Sequence, residues 1–417
     1  MLLKNNYICA VDIGSTKVCA VVVEIKNKHI SQMFCDSMPT KSLRKGVVVD
    51  SLELVGVVGR LLRNLREKSG IKIKFVYTNI SGQDIITKHS RAIIPLAERG
   101  NKVINRYDVA RANEQARILG SSLEEEVIHQ IPFNYAIDSN QAIANPIGLY
   151  SHKLETDLYL ICAKLASVQS VARVINQSGY EIRNLFFSGL ATSSAVLDND
   201  TKLGTDIFCD IGGDVTELLF FKNGTLANIE ILDIGGDDLT AELSETLKIP
   251  PELAEDVKRS YAVASDSDGE NKEILIKKDN AYKPIKQKIV ADVITAKTQS
   301  MCRIIKDRMD KIVDYPEVDS FVASGRAILL EGFLEALEIT LGVPVKLARI
   351  TDQKIITAVS KDSMLSGQKY LNYLTALGII SYCLRREHPL AASGQQDSPN
   401  IWLKLANKVE EIYQEYF

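Results

Sequence analysis

The sequence predicts an α/β protein of two related lobes that face each other across a shared ligand. Two stretches carry the prediction. Residues 206–217 read Asp-Ile-Phe-Cys-Asp-Ile-Gly-Gly-Asp-Val-Thr-Glu, an apolar run closed by an acid and a glycine turn, and Leu218–Phe221 returns toward Lys222-Asn223-Gly224. That is the pattern of a β-hairpin whose glycine tip lets a ligand approach bare backbone. About half a chain earlier the pattern recurs: Tyr7–Val11 runs into Asp12-Ile13-Gly14-Ser15-Thr16-Lys17, and Val18–Ile25 returns. At 417 residues the chain also exceeds one ordinary core, so two or more domains are expected.

In chain order, the first hairpin occupies 7–25. Leu52, Leu54, Val55, Val58, Leu61, Leu62 and Leu65 recur at helical spacing and predict a helix over Asp50–Lys68. Phe75–Ser81 reads as a strand ending at Ser81-Gly82. From Asp84 to about Ala163 short strands (Arg91–Pro95, Val127–Phe133, Asp157–Ala163) surround a polar helix (Arg106–Leu119) and a turn at Asn145-Pro146-Ile147-Gly148, which reads as a small α+β insert. Ser167–Gly179 is a helix closed by glycine, followed by a strand near Ile182–Phe187 and a helix at Leu190–Leu197. After the central hairpin, Ile229–Ile234 leads to Gly235-Gly236 and a helix starting near Asp238, where an acid suits the first turn. Pro250-Pro251-Glu252 starts another helix, which carries Glu255 and Lys258. Residues 265–283 read as a loop or short exposed hairpin, and Ile285–Ile312 as a long amphipathic helix. Ser320–Ala323 reads as a strand, Ser324-Gly325-Arg326-Ala327 as a glycine turn, and Leu329–Leu341 and Leu374–Cys383 as helices.

Composition narrows the class. With 46% hydrophobic and 25% charged residues the chain fits a soluble globular protein. A net charge of −3 gives no general footprint for nucleic acid. Seven scattered cysteines without C-x-x-C spacing read as reduced core thiols in a cytosolic protein, with neither a zinc site nor a disulfide frame. No apolar run approaches a membrane span, and Asp12 interrupts the only short apolar stretch near the start, so no signal peptide is expected. Membrane contact would be peripheral.

The glycine tips suit a nucleotide triphosphate. Phosphates require several backbone N–H donors at turns and a carboxylate, or its water shell, for Mg²⁺. Gly14-Ser15-Thr16 and Gly212-Gly213 can supply such donors, Asp12 and Asp210 stand where each strand ends, and Lys17 can reach a phosphate as a point charge. Either motif alone is more simply a hairpin turn. Both together, with Gly235-Gly236 and Ser324-Gly325 following, favour a nucleotide triphosphate with Mg²⁺; ATP is what the resemblance described next implies.

The order of these features resembles the actin, DnaK-type chaperone and sugar kinase superfamily, and within it the FtsA family of bacterial cell division. The resembling stretches are Ala10-Val-Asp-Ile-Gly-Ser-Thr-Lys-Val18, Ile80-Ser-Gly82, Asn145-Pro-Ile-Gly148, Gly189-Leu-Ala-Thr-Ser193, Asp210-Ile-Gly-Gly213, Ala254-Glu-Asp-Val-Lys258 and Thr375-Ala-Leu-Gly378. The resemblance implies an actin-like ATPase fold, two lobes around a nucleotide cleft, with the family's α+β insert in the first lobe. The division it implies is a first-lobe core at 1–84 and 163–197 and an inserted subdomain at 85–162. A second-lobe core at 198–236 and 316–386 carries an outer subdomain at 237–315; a linker at 387–399 and a tail at 400–417 follow.

The resemblance also assigns roles. Gly14, Ser15, Thr16 and Lys17 would clasp the phosphates from one lobe, and Gly212 and Gly213 from the other. Asp12 and Asp210 would hold Mg²⁺ mostly through water. Gly235 and Gly236 would line the phosphate side, Glu255 and Lys258 would reach the ribose or adenine, and Gly325 would lie beneath the base. From pattern alone, Glu255 and Lys258 are an exposed helical ion pair.

Three positions depart from the family pattern. Asp214 and Val215 stand where the second phosphate loop usually continues Gly-Thr, and two like charges ~4 Å apart repel by ~4 kcal/mol at an effective dielectric of ~20. Asp214 either turns outward or binds the metal, and Thr216 can replace the missing hydroxyl. In the adenosine turn Ser324-Gly325 replaces Gly-Gly, and Arg326 either stacks on the base or blocks it. No general base stands out among Asp12, Asp210 and Asp214, so weak or absent ATPase turnover is expected.

Along Ile401–Phe417, Trp402, Leu405, Val409, Ile412 and Tyr416 recur every three or four residues as one apolar stripe. Such a helix, about 25 Å long, suits the interface of a bilayer, with Trp402 and the terminal tyrosines at headgroup level. Pattern alone fits docking on protein equally well, and two lysines against three glutamates in 401–417 favour that alternative. In the FtsA family the segment after the linker is the membrane anchor. The resemblance further implies self-association into actin-like protofilaments, binding of the FtsZ C-terminal peptide on the outer subdomain, and contact with other divisome proteins. It places the protein on the cytoplasmic face of the membrane at the division site. The family's Pro-Arg…Glu pattern for FtsZ is absent: Asp292, Val293 and Ala296 stand nearest. A scaffold of pilus or secretion machinery similar to PilM, and a sugar or acetate kinase, are the alternative readings; no acceptor-substrate motif supports the kinase.

Overall fold

The structure is a computed structural model and describes residues 7–27, 29–97, 100–137, 140–197, 204–264, 273–278, 281–313, 318–360, 365 and 367–386. It divides into two units. In the first, β1 (Tyr7–Ile13), β2 (Lys17–Lys26) and β3 (His29–Pro39) form an antiparallel meander, and α1 (Ser51–Ser69) leads to β4 (Phe75–Ile80). After the insert come α2 (Leu165–Gln177), β5 (Glu181–Phe187) and α3 (Ser188–Val196). The sheet order is β5-β4-β1-β2-β3, with β4 parallel to both β1 and β5.

The sequence accounts for these elements. β1 and β2 are apolar on both faces and are buried on both. α1 starts because the Asp50 side chain accepts from the Glu53 N–H at 2.9 Å, and it stops because Gly70 turns left-handed (φ +70°). Its stripe Leu54, Val58, Leu61, Leu62 and Leu65 is wholly buried, each leucine contributing about 1.5–3 kcal/mol.

The insert is a four-stranded antiparallel sheet in the order Asn140–Ile143, Glu125–Ile137, Lys153–Lys164, Ile85–Pro95, packed by the helix Arg106–Gly120. Its strands run well past the predicted cores at Arg91–Pro95 and Val127–Phe133. The two crossings into it are clasped at Asp84. The Lys164 N–H donates to the Asp84 carbonyl (3.0 Å), and the Asp84 carboxylate takes Lys164 Nζ (2.7 Å) and the Ser167 hydroxyl (2.6 Å).

In the second unit β6 (Thr205–Ile211), β7 (Thr216–Lys222) and β8 (Thr225–Leu232) again form a meander. Then follow α4 (Gly236–Leu247), α5 (Pro251–Tyr261), the hairpin strands Glu273–Lys278 and Ala281–Lys286, and α6 (Gln287–Met309). β9 (Val318–Ser324), α7 (Phe333–Leu341) and β10 (Val345–Leu347) complete it. The sheet order is β8-β7-β6-β9-β10, with β9 parallel to β6 and β10. Counted from the first strand of each meander, both sheets read 3-2-1-4-5, which is the relatedness the repeated Asp-x-Gly hairpin predicts.

Several boundaries differ from expectation. The long helix starts at Gln287, not Ile285, because Ile285 pairs with Ile274 in the hairpin, and it ends at Met309. The helix expected from Leu329 starts at Phe333, after a 3₁₀ turn at Ala327–Leu329 and Gly332 at φ +83°. The sequence reading carried the second lobe on to residue 386. The stretches beginning at Thr351 and Tyr373 instead group with the first unit, adding α8 (Gln353–Val359) and α9 (Leu374–Arg386). The Thr351 N–H donates to the Ala195 carbonyl (2.9 Å), and Thr192 and Ser194 of α3 donate to Thr375 Oγ1 and the Gly378 carbonyl (both 3.1 Å). The linker 387–399 and the tail with Trp402, Leu405, Val409, Ile412 and Tyr416 lie outside the described residues. Among those described, no helix is long and apolar enough to cross a membrane.

Candidate functional site

In the first unit β1 delivers Asp12 to the start of a tight turn, where the Gly14 N–H donates to the Lys17 carbonyl (3.0 Å). Asn79, near the end of the adjacent β4, fixes the acid. Its amide donates to Asp12 Oδ1 (2.8 Å) and to Ser188 Oγ (2.9 Å), while its Oδ1 accepts from the Ile13 N–H (2.7 Å). The Cys19 thiol, opposite on β2, donates to Asp12 Oδ2 at 3.5 Å. Burial pushes the Asp12 carboxyl above its ordinary range, against the pull of Lys17 and these hydrogen bonds.

The second unit repeats this arrangement. The Gly212 N–H donates to the Val215 carbonyl (2.9 Å), and Ser324, at the end of β9, donates its hydroxyl to Asp210 Oδ1 (2.6 Å). Ser324 therefore acts as Asn79 does in the other half, holding the strand-end acid from the neighbouring parallel strand. Glu217, buried and in register with Asp210 on β7, is a further acid that the sequence reading missed.

Gly235 and Gly325 serve the backbone first. A Cβ on Gly235 would stand 2.2 Å from the Gly213 carbonyl oxygen, and one on Gly325 (φ +98°) 2.0 Å from that of Ile211. Gly236 has room, its nearest neighbour being 3.5 Å away. The first N–H groups of α4 are already bonded: Gly235 to Asp238 Oδ2 (2.8 Å), Gly236 to the Gly212 carbonyl (2.9 Å), and Asp237 to the Gly213 carbonyl (2.8 Å).

Thr216 does not replace the lost hydroxyl. It is fully buried and donates to the Ile234 carbonyl at 2.8 Å, fixing the chain that leads into Gly235. Asp214 meets Asp237, the first acid of α4, in a carboxyl–carboxyl hydrogen bond. Burial and the Asp214 charge push Asp237 up to about 6. Arg326 is exposed at the head of the 3₁₀ turn.

Glu255 and Lys258 are not an exposed ion pair. Lys258 Nζ lies 2.6 Å from Glu255 Oε2 and donates to the Gly236 carbonyl (2.8 Å) and Thr240 Oγ1 (2.6 Å), strapping α5 to the first turn of α4. Burial opposes ionisation of Glu255, but hydrogen bonds from Lys258, Thr240 and Arg259 outweigh it and hold the carboxyl below its ordinary range.

Each of these two turns, taken by itself, fits a phosphate in part. The N–H groups of Gly14, Gly212, Gly236 and Asp237 are committed within the turns, so the predicted donor set narrows. Among the described residues the N–H groups of Ser15, Gly213 and Val215 carry no hydrogen bond, and they can donate to phosphate oxygens. No group of three or more His, Cys, Asp or Glu side chains that could hold a metal gathers among the described residues.

Comparison with known proteins places this architecture. The family pattern described as "Cell division protein FtsA" matches residues 207–374, and that described as "SHS2 domain inserted in FTSA" matches 82–162. The cell division protein FtsA of Pseudomonas aeruginosa is 24% identical over 398 residues, covering 92% of this chain and 90% of that protein. That of Neisseria meningitidis is 26% identical over 350 residues, covering 82% and 84%. Among solved structures, a PilM–PilN type IV pilus biogenesis complex superposes with a TM-score of 0.59 at 16% identity, over 92% of this chain and 99% of that one. MreB5 of Spiroplasma citri bound to ADP gives 0.51 at 10% identity, over 85% and 95%. At such identities these two likenesses establish an actin-like fold.

Proposed function

Because this chain belongs to the FtsA family, we propose that it is a membrane-tethered, actin-like cell-division protein that binds ATP with Mg²⁺ and turns it over weakly or not at all. In this reading it self-associates into protofilaments and links the FtsZ ring and later divisome proteins to the cytoplasmic membrane through its tail. The observation that carries the reading is the pairing of family likenesses: the inserted domain and the second lobe both match, and the full-length relatives are division proteins.

For the nucleotide, Ser15, Gly213 and Val215 would offer backbone donors, Lys17 a positive charge, and Asp12 and Asp210 the carboxylates facing metal-bound water. Bound Mg²⁺ would neutralise phosphate charge. Asn79 and Ser324 keep the two acids in place, and the Glu255–Lys258–Thr240 strap holds the wall that the family reading assigns to ribose and adenine. Isothermal titration of MgATP into the wild type is expected to show binding, roughly tenfold tighter in Asp214→Gly because one carboxylate leaves the loop. Weaker binding in that variant would instead make Asp214 a metal ligand. No heat from either protein would remove ATP from the reading.

The PilM likeness favours a pilus or secretion scaffold as the second reading, but it is a likeness of fold only. Deleting residues 400–417 separates the two. The truncated protein is expected to leave the membrane and lose its place at division sites, and unchanged localisation would count against the tether.

A further inference from the structure

We propose that Tyr373 is a positioning residue for Lys17, holding its ammonium group at the mouth of the first glycine turn where an anionic ligand would meet it. The inference rests on the nucleotide-binding reading above and names a residue that neither the sequence pattern nor the family likeness assigns. Lys17 is the first residue of β2, immediately after Gly14-Ser15-Thr16. Its side chain has four rotatable bonds and would otherwise sample a wide volume of solvent. Instead Nζ stands 5.6 Å from the centroid of the Tyr373 ring, within the range where a ring face attracts a cation. The Asp12 charge acts on the same ammonium group from the strand before the turn.

The ring is a fixed platform. Tyr373 is buried, and its hydroxyl contacts Ser37 Oγ at 3.4 Å on β3, the strand next to the one that carries Lys17. Directly after it α9 is locked to α3 through Thr375 and Gly378, where a Cβ on Gly378 would stand 2.0 Å from the Ala191 carbonyl oxygen. Tyr373 therefore cannot swing away, and the ammonium group lies over its ring while also feeling the Asp12 charge. Such a lysine loses less rotamer freedom when a phosphate arrives. Tyr373 touches no phosphate in this account; it acts only through Lys17.

The test is a double-mutant cycle read by MgATP affinity. Tyr373→Leu is expected to bind roughly three- to tenfold more weakly, Tyr373→Phe within twofold of wild type, and Lys17→Met and Lys17→Met/Tyr373→Leu equally weakly. If Tyr373→Leu binds like wild type, or weakens Lys17→Met as much as it weakens the wild type, the inference falls while nucleotide binding stands. If the wild type binds no MgATP, both fall. Should Tyr373→Leu fail to fold, Tyr373→Met fills the site with a flexible apolar chain. Independently of any change at Tyr373, the Lys17 ε-protons in the wild type should show an upfield ring-current shift by NMR, assigned with Lys17→Met. An unshifted resonance would overturn the contact.

Discussion

Gly325→Ala is expected to lower the stability of the second unit by roughly 3–5 kcal/mol, or to prevent its folding. Two causes add. The residue sits at φ +98°, where a Cβ costs about 1–2 kcal/mol. That Cβ would also stand 2.0 Å from the Ile211 carbonyl oxygen, so β9 and β6 could not keep their pairing. Relief would have to come from the backbone, since the neighbour is a carbonyl and not a side chain that can rotate. Gly236→Ala is the internal control. Its nearest neighbour is in ordinary contact at 3.5 Å and its φ is not in the left-handed region, so less than about 1 kcal/mol is expected. Urea denaturation followed by circular dichroism measures both, and equal effects at the two glycines would refute the packing argument.

Asp84→Ala should cost about 2–3 kcal/mol and loosen the insert from the first unit's core. The carboxylate is buried and serves both crossings, taking the Ser167 hydroxyl and the Lys164 ammonium. Because Lys164 is largely exposed, most of the loss comes from the buried hydrogen bond and the vacancy left behind. Burial opposes the charge, but Lys164 and Ser167 outweigh it and hold the carboxyl below its ordinary range. A group lowered in this way stabilises fully above its unfolded pKa, and the contribution disappears as pH falls through the folded value. The gap between wild type and variant should therefore shrink below pH ~4 by the charge-dependent share, while the part due to the vacancy persists. Limited proteolysis should cut the variant first near residues 84 and 164. A gap that stays constant with pH would show that the carboxylate charge is not what holds the clasp.

Much of this architecture is legible in the residues themselves. The two Asp-x-Gly hairpins announce the duplicated sheets, and the leucine stripe of α1 announces a helix, because in each case the periodicity is that of the burial. β3 escapes the same reasoning: it is an edge strand, and His29, Ser31 and Gln32 give it little apolar alternation. α9 groups with the first unit and not with the second lobe expected to run to 386; it is buried nearly all round, from Leu374 to Leu384, so no polar face says which sheet it covers. The acids of the site are visible in sequence, but their keepers are not. Asn79 and Ser324 reach Asp12 and Asp210 from parallel neighbours 67 and 114 residues away, a pairing that only the sheet order dictates. Thr216 is ambiguous for the opposite reason, since a hydroxyl next to a loop can as easily serve a buried carbonyl, here that of Ile234, as a ligand.

The bonds from Gly236 and Asp237 to the carbonyls of Gly212 and Gly213 make the glycine tip and the start of α4 one mechanical piece, and Lys258 couples α5 to the same turn. The tip, the start of α4 and α5 are thereby fastened to one another, so a displacement of any one of them loads the other two.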